Sequence, residues 1–395
     1  MTTVPSLQNT RAAWLLAGVE LFFSLSWVVY VIFLPELLAR GGIDKRYLPW
    51  ILAADQLIFA LADWSVGVAV DRARSALRAI GPTLVLLSAV SAVAMLLLPW
   101  LAAMPTLLLL ATAVWVATSS ALRAPPYVLL SRCAGRSPLP RLAGIQLLGL
   151  AVASALAPYL AIVLKGVDPS LPFAFSALAV GVSALALVRV ERGLPASEQP
   201  LPTARVAAKK PGEPARAAWA LLLLLALLLA FGQQVHTAIN SATQFKRLAD
   251  PALLPWLLPV FWVGFSFGLL AVGRVVGSRG ELPVLKLACA LGALALAGAA
   301  FAASLAALVV SQIVAGVFWA FILCASIGLA GERGHPLQTG RNTGALMAVL
   351  AVATFSRFGL AASGGAAASG AALLDALPVA LWCAAALLLR PLRSA

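Results

Sequence analysis

Apolar residues run through this chain in blocks broken by short clusters of Arg, Lys, Pro and Gly. A helix of about twenty apolar residues is long enough to cross the hydrocarbon core of a bilayer. The blocks and their punctuation predict helices near 13–37, 48–70, 79–101, 105–130, 142–164, 171–189, 217–243, 254–277, 283–302, 304–329, 342–362 and 372–390. One stretch breaks the rhythm: Arg189 to Arg216 is polar and holds Pro195, Pro200, Pro202, Pro211 and Pro214 near mid-chain. The pattern predicts an all-α membrane protein of twelve transmembrane helices, with an N-terminal six-helix half over 1–190, a cytoplasmic linker over 191–216 and a C-terminal six-helix half over 217–395. The first block ends in Pro35-Glu36 without a small-residue cleavage site, so it is expected to stay as a helix and not to leave as a signal peptide.

Composition sharpens this picture. Of the residues, 62% are hydrophobic and 11% charged, with a mean hydropathy of +0.98. Soluble domains carry roughly a quarter charged residues, so a water-soluble fold is excluded. The net charge of +14 sits in short inter-helix loops and not on one soluble module, which speaks for a topology signal and against nucleic acid. With the chain starting inside, the inner side collects 20 Lys and Arg and the outer side 6, leaving Arg123 and Arg357 within helices. A bacterial inner membrane with both termini in the cytoplasm is the expectation. Cys133 falls in a basic loop, and Cys289, Cys324 and Cys383 in apolar runs, so neither a disulfide nor a metal site is expected. No phosphate loop, zinc-ligand cluster or nucleophile elbow is present, so the energy source must be an ion or solute gradient, and neither an enzyme nor a cofactor is implied.

Between helices 2 and 3 the chain reads Gly67-Val-Ala-Val-Asp71-Arg72-Ala-Arg74. This resembles the G-x-x-x-D-R/K signature of the major facilitator superfamily, a fold of two six-helix halves. The resemblance implies that Gly67 permits close packing of helix 2, and that Asp71, Arg72 and Arg74 join a gating charge network. After helix 8, Gly273-Arg274-Val-Val-Gly277-Ser-Arg279 is a copy without the acid. Asp63-x-x-x-Gly67-x-x-x-Asp71 with Arg74-Ser75, plus Pro126-Tyr127, is similar to the glycoside, pentoside and hexuronide cation symporters, with Phe59 where that group places a second acid. Gln233-Gln234 followed by Asn240 resembles the double-glutamine motif of sugar porters, and Ala157-Pro158 stands where exporters carry Gly-Pro. None of these decides the substrate.

An ionisable residue inside a membrane helix is a functional candidate by default, because burying its charge in hydrocarbon costs several kcal/mol. Five qualify: Glu20, Asp55, Asp63, Arg123 and Arg357. Glu20, Asp63 and Arg123 each lie about 12 Å from the cytoplasmic end by helical rise, so they can share one layer. Two acids beside one cation need not both ionise, which is what a proton-coupling site requires; a static brace is the alternative. Asp55 lies nearer the outer end of helix 2, either coupling ions or facing the outer vestibule. In helix 7, Gln233, His236, Asn240 and Gln244 fall on one face, suited either to a polar solute or to inter-helix hydrogen bonds. No acid is read in the membrane part of the C-terminal half for Arg357, leaving an anionic substrate, Asp55 across the cavity, or backbone carbonyls as its counter-group. Trp27, Tyr30, Trp262, Gln312 and Trp319 complete the candidate cavity or simply pack.

The expected function is alternating-access transport of a small polar metabolite, anionic if Arg357 faces it, coupled to protons, with sodium left open. A monomer in the lipid bilayer is expected. A proton-driven exporter and a non-transporting membrane sensor on the same fold are the alternatives.

Overall fold

The computed structural model describes residues 7–72, 77–133, 139–193, 213–333, 339–365 and 369–390. Twelve long helices follow in order: α1 Leu7–Arg40, α2 Leu48–Arg72, α3 Leu77–Leu97, α4 Pro105–Cys133, α5 Leu139–Val163 and α6 Ser170–Gly193, then α7 from Glu213 to Lys246. The second set continues with α8 Val260–Arg279, α9 Glu281–Ala300, α10 Leu305–Arg333, α11 Thr339–Ala362 and α12 Ala371–Leu388. Among the described residues, 11 helices are long and apolar enough to cross a membrane, and Pro82–Leu97 within α3 is a shorter apolar helix. The chain is thus an all-α, multi-pass membrane protein.

Two departures from the predicted elements have local causes. Helix 8 starts six residues late because Pro259, which lacks an N–H, caps it, after a separate turn at Leu254–Leu257. Helix 7 is not uniform: His236–Asn240 forms a π-helical turn between Glu213–Val235 and Ser241–Lys246. A wide turn of this kind lets side chains reach neighbours a regular helix would miss. Gly42 takes φ 69°, and the Ile43 N–H reaches back to the Leu38 carbonyl at 2.8 Å, closing α1.

Within the first set, α1 packs on α5 and α6, and α3 on α4 and α6; within the second, α10 packs on α8 and α9, and α12 on α7 and α9. The two sets meet along α2 with α11 and α5 with α8. Glycines permit these approaches. A Cβ at Gly67 would strike the Gly340 carbonyl, and one at Gly144 would lie 2.9 Å from the Leu269 carbonyl. Large apolar side chains such as Phe175, Leu178, Leu185 and Leu294 are exposed around the outside, as expected where lipid is the solvent.

Candidate functional site

In the first half, α1, α2 and α4 bring Glu20, Asp63 and Arg123 together. Arg123 Nη2 lies 3.4 Å from Asp63 Oδ2, and its guanidinium stands 4.9 Å from the centroid of the Phe59 ring. Glu20 lies within electrostatic reach of both and against Tyr127 and Gln146. Asp63 and Gln146 are fully buried, and Glu20 is 4% exposed. Yet Glu20 Oε2 and both Asp63 oxygens accept no hydrogen bond among the described residues. Buried polar groups are nearly always paired, so this concentration of unsatisfied atoms around one cation makes the cluster a candidate functional site.

About two turns from Asp63 toward the N-terminal end of α2, Asp55 is buried and its Oδ2 accepts a hydrogen bond from the Tyr30 hydroxyl at 2.8 Å. Trp27, Tyr30, Trp115 and Phe59 pack around it, Tyr30 and Trp115 with centroids 4.6 Å apart and Trp27 stacked on Trp115 at 5.8 Å. Phe59 separates this site from the Arg123 cluster.

In the second half, the helix 7 residues are buried and bonded to one another's neighbours. Gln312 of α10 donates from Nε2 to Gln244 Oε1 at 3.2 Å and to Ser241 Oγ at 3.4 Å, and Gln244 donates to Asp375 Oδ1 of α12 at 2.8 Å. Gln312 Oε1 therefore faces His236 Nε2 at 2.9 Å as an acceptor, which puts the histidine proton on Nε2. Arg247 closes the chain on Asp375 Oδ2 at 3.3 Å. Asn240 donates to the Leu374 carbonyl at 2.6 Å, and Gln233 bonds Thr237 in its own helix at 3.1 Å. Trp319 is buried against Trp382, and Trp262 packs edge-on against Phe261 and Phe265.

Arg357 occupies the last two turns of α11. Its guanidinium lies over the Phe358 ring, Nε is buried without a partner, and among the described residues it makes no ion pair with Asp55 or any other acid. The motif residue Asp71 crosses between halves: its two oxygens accept the backbone N–H groups of Gly340 at 2.9 Å and Arg341 at 2.7 Å. It thereby satisfies free N–H groups in the first turn of α11, where a negative charge is favoured. Arg72 ends α2 with its side chain outside the described residues, and Arg74 lies outside them entirely. At the opposite end the halves touch through Tyr159 and Trp256, centroids 5.0 Å apart.

Sequence reasoning passed over three members of these sites. Gln146 and Tyr127 are uncharged, and only the packing of α5 and α4 against Glu20 selects them; a polar residue amid the apolar run of helix 5 was the available signal. Asp375 corrects the reading that the membrane part of the second half holds no acid: it lies in the second turn of α12, yet it serves Arg247 and Gln244 and not Arg357.

Residues 16–357 match the sequence profile of the Major Facilitator Superfamily. No curated protein sequence matches the chain. Among solved structures, the human organic anion transporter MFSD10 (TETRAN) is 15% identical, with 98% of this chain and 100% of that one covered at a TM-score of 0.76. The Escherichia coli fucose:proton symporter FucP is 12% identical, with 98% and 100% covered and a TM-score of 0.67. A bacterial homologue of the iron transporter ferroportin, in its outward-facing state, is 14% identical, with 96% and 98% covered and a TM-score of 0.72. These likenesses establish the fold.

Proposed function

The chain belongs to the major facilitator superfamily, and from that premise we propose that it carries a small anionic metabolite across a bacterial inner membrane by alternating access, driven by protons. The observation that carries the coupling half of this reading is the buried Glu20, Asp63 and Arg123 cluster, in which Glu20 Oε2 and both Asp63 oxygens accept no hydrogen bond among the described residues while Arg123 stands 3.4 Å from Asp63 Oδ2. A carboxylate that must gain and lose a proton is held ready when its oxygens are desolvated and not already committed to donors. Arg123 then pairs with whichever acid is charged, so proton uptake at one carboxylate shifts the guanidinium toward the other.

Arg357 supplies the substrate half. A membrane guanidinium that meets a ring but no acid among the described residues is suited to an anion from outside, and its planar fork matches a carboxylate or phosphate. The Asp71 cap on α11 serves as the latch that holds one conformation. The basic loops support placing that latch and both termini in the cytoplasm. Two fold neighbours are named for organic anions and for fucose with protons; at 15% and 12% identity they supply candidate solutes to test and no assignment.

The test is flux in proteoliposomes under an imposed pH gradient. Accumulation of an organic anion that follows the gradient supports the reading, and the direction of the driven flux separates symport from export. Flux that ignores pH but follows sodium would replace the proton, and no flux under any gradient would favour a non-transporting sensor.

A further inference from the structure

The second-half copy of the inter-helix motif carries no acid. Among the described residues neither Arg274 nor Arg279 has an ion-pair or hydrogen-bond partner. Both are exposed and, with Ser278, form one wall of a cavity of about 380 Å³ between α8, α9 and α10. Its other walls are apolar and include Leu287, Phe318 and Phe321. Leu287 is 45% exposed, so the cavity opens on the lipid-facing flank of the bundle.

The nearest acid does not compete for these arginines. Glu281, in the first turn of α9, turns its carboxyl toward Gly328 of α10 and Pro140 of α5. Lys286 adds positive charge nearby while its ammonium reaches the Arg390 carbonyl at 3.4 Å. The two arginine Cα positions are separated by roughly 7.5 Å along the helix axis, and α8 ends at Arg279, at the end of the bundle that carries the basic loops. Cationic forks at the rim above an apolar floor match an amphiphile whose anionic head lies at the membrane surface and whose chain lies below it.

We propose that this groove binds an anionic phospholipid, its phosphate held by Arg274 and Arg279 and its first acyl carbons packed on Phe318 and Phe321. A free anion would leave the apolar walls uncovered, and a neutral lipid would leave both guanidinium groups unpaired.

Native mass spectrometry of the full-length protein in detergent, titrated with phosphatidylglycerol or phosphatidylcholine, tests this. The protein is expected to retain one phosphatidylglycerol in preference to phosphatidylcholine. The double variant Arg274→Gln/Arg279→Gln should lower that preference roughly tenfold or more, given about 1 kcal/mol for each basic residue near an anionic lipid surface. Lys165→Gln, at the other end of the bundle, should leave it unchanged. Leu287→Trp fills the groove while keeping both arginines and should also abolish the preference, which decides the matter if the double variant does not fold. Equal retention in all variants overturns the proposal, as does retention by Leu287→Trp alone. Displacement of the lipid by millimolar inorganic phosphate as readily as by a second anionic lipid would make the site one for free anions and overturn it likewise.

Discussion

The Arg123 cluster of the first half and the helix 7 network of the second treat buried polar groups in opposite ways. In the second half, His236, Gln312, Gln244, Asp375 and Arg247 form one hydrogen-bonded chain in which each donor meets an acceptor. In the first, Glu20 and Asp63 are also buried, and three of their four carboxylate oxygens accept no hydrogen bond among the described residues. A satisfied network rigidifies the helices it joins, whereas an unsatisfied one holds free energy that a proton or solute can release. On that contrast rests the proposal of coupling work for the Arg123 cluster and structural work for the helix 7 face, although both look alike as polar residues in apolar helices.

The largest expected effects fall on the unsatisfied side. Glu20→Gln and Asp63→Asn, made separately, should each reduce gradient-driven accumulation to background while at least one keeps solute exchange, because an amide cannot cycle a proton. Wild-type accumulation in both variants would end the contrast between the halves. Next comes Arg357→Gln, expected to weaken solute binding by about tenfold to a hundredfold, the range for a lost charge-assisted hydrogen bond. Arg357→Lys should recover only part of that affinity, since it keeps the charge without the fork. Normal binding with a lowered melting temperature in both variants would make Arg357 a structural residue.

A smaller shift is expected at the latch. Asp71→Ala removes the cap on α11, and a lost cap of this kind changes the balance between conformations by roughly fivefold, at about 1 kcal/mol. Cysteine labelling from the two membrane faces measures it, and unchanged labelling would show that the contact does not gate. The smallest functional effect belongs to the satisfied side. Gln312→Leu strands His236 and Gln244, so it should cost about 1–3 kcal/mol of stability and leave transport near wild type. Lost transport at unchanged melting temperature would instead place the helix 7 face in the solute path and reverse the division drawn between the halves.

Hydropathy and charge in the sequence determined the twelve helices, because a bilayer leaves backbone groups no alternative to internal hydrogen bonds and sorts residues by a period and length visible in one dimension. They also determined that Glu20, Asp63, Arg123 and the helix 7 amides avoid lipid, since burying a charge or an amide in hydrocarbon is costly wherever the helix sits. What they left open was which partners those groups find. Helix rise alone put Glu20, Asp63 and Arg123 in one layer, but only the packing of α1, α2, α4 and α5 added Gln146 and Tyr127 beside them. Gln233, His236, Asn240 and Gln244 read either as a solute face or as internal bonding, and it took Gln312 from α10 and Asp375 from α12 to show His236 and Gln244 bonded within the protein. Likewise Asp71 was legible as a motif residue, but not the two N–H groups of α11 that it caps, 269 and 270 residues away along the chain. Satisfaction of a polar group depends on distances of about 3 Å between helices far apart in sequence, and those are fixed by the tertiary packing.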